Sequence, residues 1–203
     1  MRKSLKPFFI IILYLITKQI NDFLIMFLFV LIHEMGHIIT GVSLGFKIKR
    51  FDITFAGVMI ELDTYKKDSL LKRIVIDVAG PLVNLIFIIV GEIIKSEIIV
   101  YSNLLIMILN LLPIYPLDGG RIIRNFLLLK NDFKNTVDIV NTISNITLFL
   151  ITLVSSILIL YYKNIAIVVL IGYLWYINYI ENKRKSILDK VYKILNENIE
   201  NGT

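Results

Sequence analysis

The stretch FLIMFLFVLIHEMGHII, Phe23–Ile39, decides how the rest of the chain is read. An apolar run, Phe23–Ile32, leads directly into His33, Glu34 and His37, and apolar residues resume at once. An ionisable group inside an apolar membrane helix is costly and functional by default. Helix positions four apart share a face, so the imidazoles of His33 and His37 can reach one ion. Glu34 follows His33, where its carboxylate can reach a water on that ion. Zinc brings the pKa of such a water to about 7, within range of a neighbouring carboxylate base. The chain has only two histidines, and both fall in this H-E-x-x-H pattern. Two polar residues beside a cavity would be the plainer account, and the apolar setting disfavours it.

That setting extends along the chain. Of 203 residues 57% are hydrophobic, and the mean hydropathy is +0.77. Soluble domains average about 45–50% apolar residues. Further long runs occupy Leu82–Val90 and Leu148–Leu160, which points to a membrane-embedded chain. There is no cysteine, so disulfides, thiolate metal sites and cysteine nucleophiles are excluded. The net charge of +6 arises from basic residues lying between apolar runs. That arrangement reads as membrane topology rather than nucleic-acid binding. Met1-Arg2-Lys3 precedes an apolar run with no small-x-small cleavage site, which reads as an uncleaved first span.

Membrane helices need roughly 20 residues. The expected fold class is an all-α polytopic membrane protein with about six transmembrane helices. They are placed at residues 5–20, 23–45, 71–94, 97–116, 141–161 and 164–181. A small β-hairpin is expected between spans two and three, and a break in the fourth span. Residues 1–181 form the expected membrane domain. Residues 182–203 form a short cytoplasmic tail with the spacing of an amphipathic helix. Lys and Arg number three in the N-terminal tail, seven in 46–73, four in 117–140 and five in the C-terminal tail. Each remaining gap carries one. This alternation places both termini in the cytoplasm.

Two histidines do not complete a catalytic zinc site, which takes a third protein ligand and keeps one position open. Acidic residues at membrane depth are the candidates. Asp118 ends Asn110-Leu-Leu-Pro113-Ile-Tyr-Pro116-Leu-Asp118, and Gly119-Gly120 follow. Prolines and glycines break a helix there. Irregular backbone at membrane depth must be buried in protein or line a watery cavity. Without the H-E-x-x-H motif, the segment reads better as an ordinary surface turn with Asp118 capping the next helix. In the expected topology spans two and four run the same way, which brings His33, His37 and Asp118 to similar depth.

These residues resemble the site-2 proteases, a family of intramembrane zinc metalloproteases. HEMGH matches the family's first motif, and Asn110–Gly120 matches its second, N-x-x-P-x-x-x-L-D-G. Gly80-Pro81-Leu82-Val83-Asn84 resembles the intervening G-P-x-x-N segment. The resemblance covers about residues 30–125 and is greatest to a branch that acts in sporulation. It implies zinc bound by His33, His37 and Asp118, with Glu34 as catalytic base. It further implies a membrane-associated protein substrate, in that branch the precursor of a late sporulation sigma factor. The implied setting is multi-pass in the cell membrane, the outer forespore membrane in sporulating cells, with membrane regulatory or inhibitory proteins as partners. Members of the branch often carry a C-terminal nucleotide-binding domain; none is expected in the 203 residues of this chain, which leaves nucleotide sensing open.

Three residues are candidates for substrate contact. Asn110 and Asn84 can bond a substrate backbone or the oxyanion, and the plainer account of each is an interhelical hydrogen bond. Phe55 lies in Phe51–Leu62, whose alternation is hairpin-like. An edge strand there could pair with an unwound substrate or be an interfacial loop with no such contact. Asp77 reads as structural, paired with Arg73 at helical spacing. Two rival functions remain: a protease for another membrane-tethered regulator, and a transporter or proton channel using the same His, Glu and Asp side chains.

Overall fold

Helix ends in this protein are set by capped turns and prolines more than by hydropathy. The computed structural model describes residues 20–46, 48–54, 57–62, 70–162 and 165–201. The chain packs as two units, Met1–Leu111 and Leu112–Thr203.

In the first unit, α1 (Ile20–Ser43) carries the two histidines. It stops where Gly45 turns to φ +84°. The Phe46 and Gly45 amides then bond the Gly41 and Val42 carbonyls, both at 3.0 Å, the left-handed cap that glycine permits without a Cβ clash. Backbone pairing follows between β1 (Ile48–Thr54) and β2 (Gly57–Leu62), antiparallel, from Ile48 opposite Leu62 to Thr54 opposite Gly57. Next come α2 (Leu70–Ile93) and α3 (Glu97–Asn110). Their tight turn repeats the cap of α1, with Lys95 at φ 55° and the Ser96 amide 2.9 Å from the Gly91 carbonyl.

α1 and α2 pack antiparallel along a short ladder. Phe29 and Phe87 meet edge to face, 5.2 Å between centroids. One turn on, His33 meets Asn84, and beyond that His37 meets Ile76. Between these rungs Gly36 lies so close to α2 that a Cβ there would sit 2.8 Å from Val83 Cγ2.

In the second unit the chain enters through an irregular segment. Ile114 is fully buried there, packed with Leu148 and Leu174. α4 (Asp118–Leu128) follows, then α5 (Phe133–Tyr162) and α6 (Ile165–Asn201). Polar side chains bridge α5 and α6. Asn178 and Asn182 both donate to Asn145 Oδ1, at 2.7 and 3.3 Å. Trp175 donates to the Thr152 hydroxyl at 3.0 Å, and Lys185 pairs with Asp138 at 2.9 Å.

Large apolar side chains face outward on these helices, among them Leu71, Ile93, Ile157 and Leu160, while His33, Asn84, Asn103 and Asn178 are buried. Extended exposed apolar surface of this kind marks contact with a membrane or partner.

The expected architecture of six spans around a small hairpin is corrected to a helical framework with three membrane-length helices among the described residues. Those are Leu24–Ser43, Leu70–Ile93 and Phe133–Tyr161. The first expected span, 5–20, lies almost wholly outside the described residues. The fourth is cut short. Residues 111–117 are mostly apolar, but Pro113 and Pro116 cannot continue a helix, and α3 stops after 14 residues at Asn110. The sixth loses its apolar character at Glu181, and the expected tail from 182 is the unbroken continuation of α6.

Candidate metal centre

The local sequence dictates the first half of the site. His33 and His37 stand one turn apart on the face of α1 that meets α2, and both are buried. Their Nε2 atoms lie 3.2 Å apart, with the rings nearly perpendicular at 83°. Each Nδ1 is already engaged. His33 Nδ1 meets Asn84 Oδ1 at 2.8 Å, and His37 Nδ1 donates to the Ile76 carbonyl at 2.7 Å. Metal-binding histidines commonly use one ring nitrogen for the ion and give the other to an oxygen.

Gly80 makes this closeness possible. A Cβ at that position would lie 2.3 Å from His37 Nε2 and 2.7 Å from His33 Cε1. Any side chain on this turn of α2 would displace both rings. Pro81, next in the chain, sits inside the helix. It has no N–H to give the carbonyl one turn back.

The donor set fits zinc. Zn–N bonds of about 2.0–2.1 Å at the tetrahedral angle hold two nitrogens roughly 3.3 Å apart, and the observed Nε2 separation is 3.2 Å. Glu34, adjacent on α1, is half-buried.

The second unit holds Asp118. It opens α4 and is 3% exposed. An anion suits that position, because the first turn of a helix presents unpaired N–H groups and the positive end of its dipole. Arg121, one turn on, lies 3.5 Å from Asp118 Oδ1. The two glycines after Asp118 are both buried. At Gly120 the reason is visible: an added Cβ would sit 2.4 Å from the Tyr115 amide nitrogen and 2.5 Å from the Ile114 carbonyl carbon. The irregular segment folds back onto the first turn of α4, and only glycine leaves room. Ser144 of α5 steadies that segment by accepting the Tyr115 N–H at 3.1 Å.

The structure therefore brings His33, His37 and Asn84 together, and places Asp118 at a helix start in the other unit. Asn110, the last residue of α3, donates to the Ile106 carbonyl of its own helix at 3.1 Å. Phe55 lies outside the described residues. Sequence reasoning did not single out Asn103, whose carbonyl accepts from Asn84 Nδ2 at 3.2 Å. A polar residue in the apolar run Ile98–Leu109 was the available signal. Nothing in the sequence could flag the Ile76 carbonyl.

Comparison with known proteins places this geometry in context. The model of peptidase family M50 matches residues 22–96 and 95–154. The chain is 33% identical over 118 residues to stage IV sporulation protein FB of Bacillus subtilis (strain 168), covering 54% of this chain and 41% of that protein. It is 30% identical over 129 residues to zinc metalloprotease MJ0392 of Methanocaldococcus jannaschii, covering 58% of this chain and 37% of that protein. The match thus spans about two fifths of the length of these curated relatives. Among solved structures, a site-2 protease from Methanocaldococcus jannaschii aligns with a TM-score of 0.62 at 26% identity, covering 86% of this chain and 87% of that one.

Proposed function

The chain belongs to peptidase family M50, and on that premise we propose that it is an intramembrane zinc metalloprotease that hydrolyses a peptide bond in a membrane-associated protein. The observation that carries the reading is the pair of buried Nε2 atoms 3.2 Å apart on an apolar helix, with a carboxylate next in sequence.

His33 and His37 supply two ligands, and Asp118 the third. A third protein ligand is needed because a catalytic zinc keeps one coordination position for water or substrate. Asp118 supports the assignment by its chemistry: a buried carboxylate within the motif that resembles the family's second one. When bound, zinc polarises the scissile carbonyl and acidifies the attacking water. Glu34 accepts the proton of that water and returns it to the leaving amine nitrogen, so one carboxylate serves as base and then acid. The carboxamide of Asn110, at the end of α3, is proposed to hold the substrate backbone.

The substrate proposed is the precursor of a sporulation sigma factor. The similarity to stage IV sporulation protein FB favours it over other membrane-tethered regulators. A multi-pass placement in the membrane is supported by the three helices long and apolar enough to cross it among the described residues. Coexpression with candidate membrane-tethered regulators tests the whole reading. Wild-type protein should release a shortened product and Glu34→Gln should not, with equal zinc content in the two. Cleavage by the Gln variant at the wild-type rate would remove Glu34 from the chemistry. Wild-type protein purified without zinc would favour a channel or transporter.

A further inference from the structure

Resting on the reading of His33 and His37 as metal ligands, we propose that Asn84 is a positioning residue. It fixes which nitrogen of His33 carries the proton, and the main-chain carbonyl of Asn103 in turn fixes Asn84. A carbonyl oxygen can only accept a hydrogen bond. The Asn103 carbonyl lies 3.2 Å from the Asn84 side-chain amide, so the atom facing it is the NH2 nitrogen. That orientation turns Asn84 Oδ1 toward His33 Nδ1, 2.8 Å away. Oδ1 also only accepts, so His33 Nδ1 carries the hydrogen and Nε2 keeps its lone pair. Amide orientation and histidine tautomer are assigned from the network in this way, since hydrogens are not themselves seen.

The same logic holds on the neighbouring ring. The Ile76 carbonyl 2.7 Å from His37 Nδ1 demands a hydrogen there. Both Nε2 lone pairs therefore point at one spot, 3.2 Å apart. The packing of α1, α2 and α3 thus fixes the orientation of both rings and leaves Nε2 of each as the nitrogen for the ion.

Burial makes Asn84 the effective lock. It is fully inaccessible to solvent, so no bulk water can replace its oxygen. Asn103 is held in turn by its own side chain, which donates to the Ile99 carbonyl at 2.8 Å. Both polar ends of Asn84 are engaged within the helix packing, which assigns it to the ligand rather than to the substrate.

The test uses the full chain in detergent. Zinc affinity is measured by competition with a chromophoric chelator for wild type, Asn84→Leu and Asn84→Asp. Partners that orient a metal-bound histidine typically change metal affinity by about 10–100-fold when removed. Asn84→Leu, which keeps the volume and loses the acceptor, should weaken zinc by that factor. Asn84→Asp keeps an acceptor for His33 but loses the donor to the Asn103 carbonyl, and should fall between wild type and Asn84→Leu. A purely structural Asn84 would give equal zinc affinity in all three, with only thermal stability altered.

A second measurement needs no variant. The chain has two histidines, so protein carrying nitrogen-15 in histidine alone shows two rings by magic-angle-spinning NMR. Zinc-loaded wild type should show a protonated Nδ1 on both. An unprotonated His33 Nδ1, or an Asn84→Leu variant within twofold of wild-type affinity, overturns the assignment to Asn84 and leaves the metal site standing. Wild-type protein that binds no zinc overturns the metal site and this assignment together.

Discussion

The seam of α1, α2 and α3 and the seam of α5 and α6 both join apolar helices through polar side chains, and they use them in opposite ways. Between α5 and α6, Asn145 takes hydrogen bonds from Asn178 and Asn182, and Thr152 takes one from Trp175. Donor meets acceptor, and beside them Ile114, Leu148 and Leu174 make an apolar core. Between α1, α2 and α3 the polar chain runs from the Asn103 carbonyl through Asn84 to His33 and ends on a ring nitrogen facing another. The bonds described between α5 and α6 join the two helices, and one acceptor there, Asn178 Oδ1, is buried without a partner. The chain of bonds between α1, α2 and α3 ends instead on two imidazole nitrogens that face each other. The difference teaches how to tell cohesion from chemistry in an apolar protein. Polarity alone does not distinguish them, but a network that ends on two facing imidazole nitrogens has the donor chemistry of a metal site.

Several substitutions would break or sharpen that contrast. The largest effect should come from Glu34→Gln. Loss of a general base typically costs about 10²–10⁴ in rate, so peptide cleavage should fall by that factor while zinc content stays at the wild-type level. Next is Gly80→Ala. Its methyl would occupy the space of the His37 and His33 rings. Forcing extra volume into close packing costs about 1–3 kcal/mol, and zinc affinity should drop by roughly tenfold or more. Unchanged zinc affinity would mean that the rings do not need α2 at this distance.

Smaller effects are expected in the second unit. Gly120→Ala sets a Cβ against the Tyr115 amide and the Ile114 carbonyl. Thermal unfolding should show a loss of about 1–3 kcal/mol from strain between the irregular segment and α4. Asn178→Ala removes one donor from Asn145. Interhelical hydrogen bonds in membranes average about 0.6 kcal/mol, so stability should fall by about that much with zinc affinity unmoved. A change in zinc affinity from Asn178→Ala would erase the distinction between the two seams.

The seam of α1, α2 and α3 was half legible in the sequence. His33, Glu34 and His37 announce themselves because their spacing is a property of one helix, readable without knowing what the helix touches. Asn84 was visible as part of the Gly80–Asn84 segment, but its partner was not. Which atom it meets depends on how α1 crosses α2, and that depends on clearance at Gly36 and Gly80. Asn103 passed unnoticed because what it gives Asn84 is its carbonyl, and every residue has a carbonyl.

The span count shows another limit. Hydropathy sums over residues whether or not the backbone stays helical. Leu111, Leu112 and Ile114 therefore lengthened the fourth expected span past the point where Pro113 and Pro116 end the helix. In α6 the opposite happened. Polarity alone sets a boundary at Glu181, yet the charges from there onward alternate along a helix that does not break. A boundary in polarity is a statement about solvent, not about backbone.

The continuity of α6 has a mechanical consequence. A helix rises about 1.5 Å per residue, so the stretch from Glu181 to Asn201 is a stiff rod roughly 30 Å long, continuous with the turns that carry Trp175, Asn178 and Asn182. Torque applied at its far end has no hinge in which to dissipate, and arrives as rotation at those three side chains.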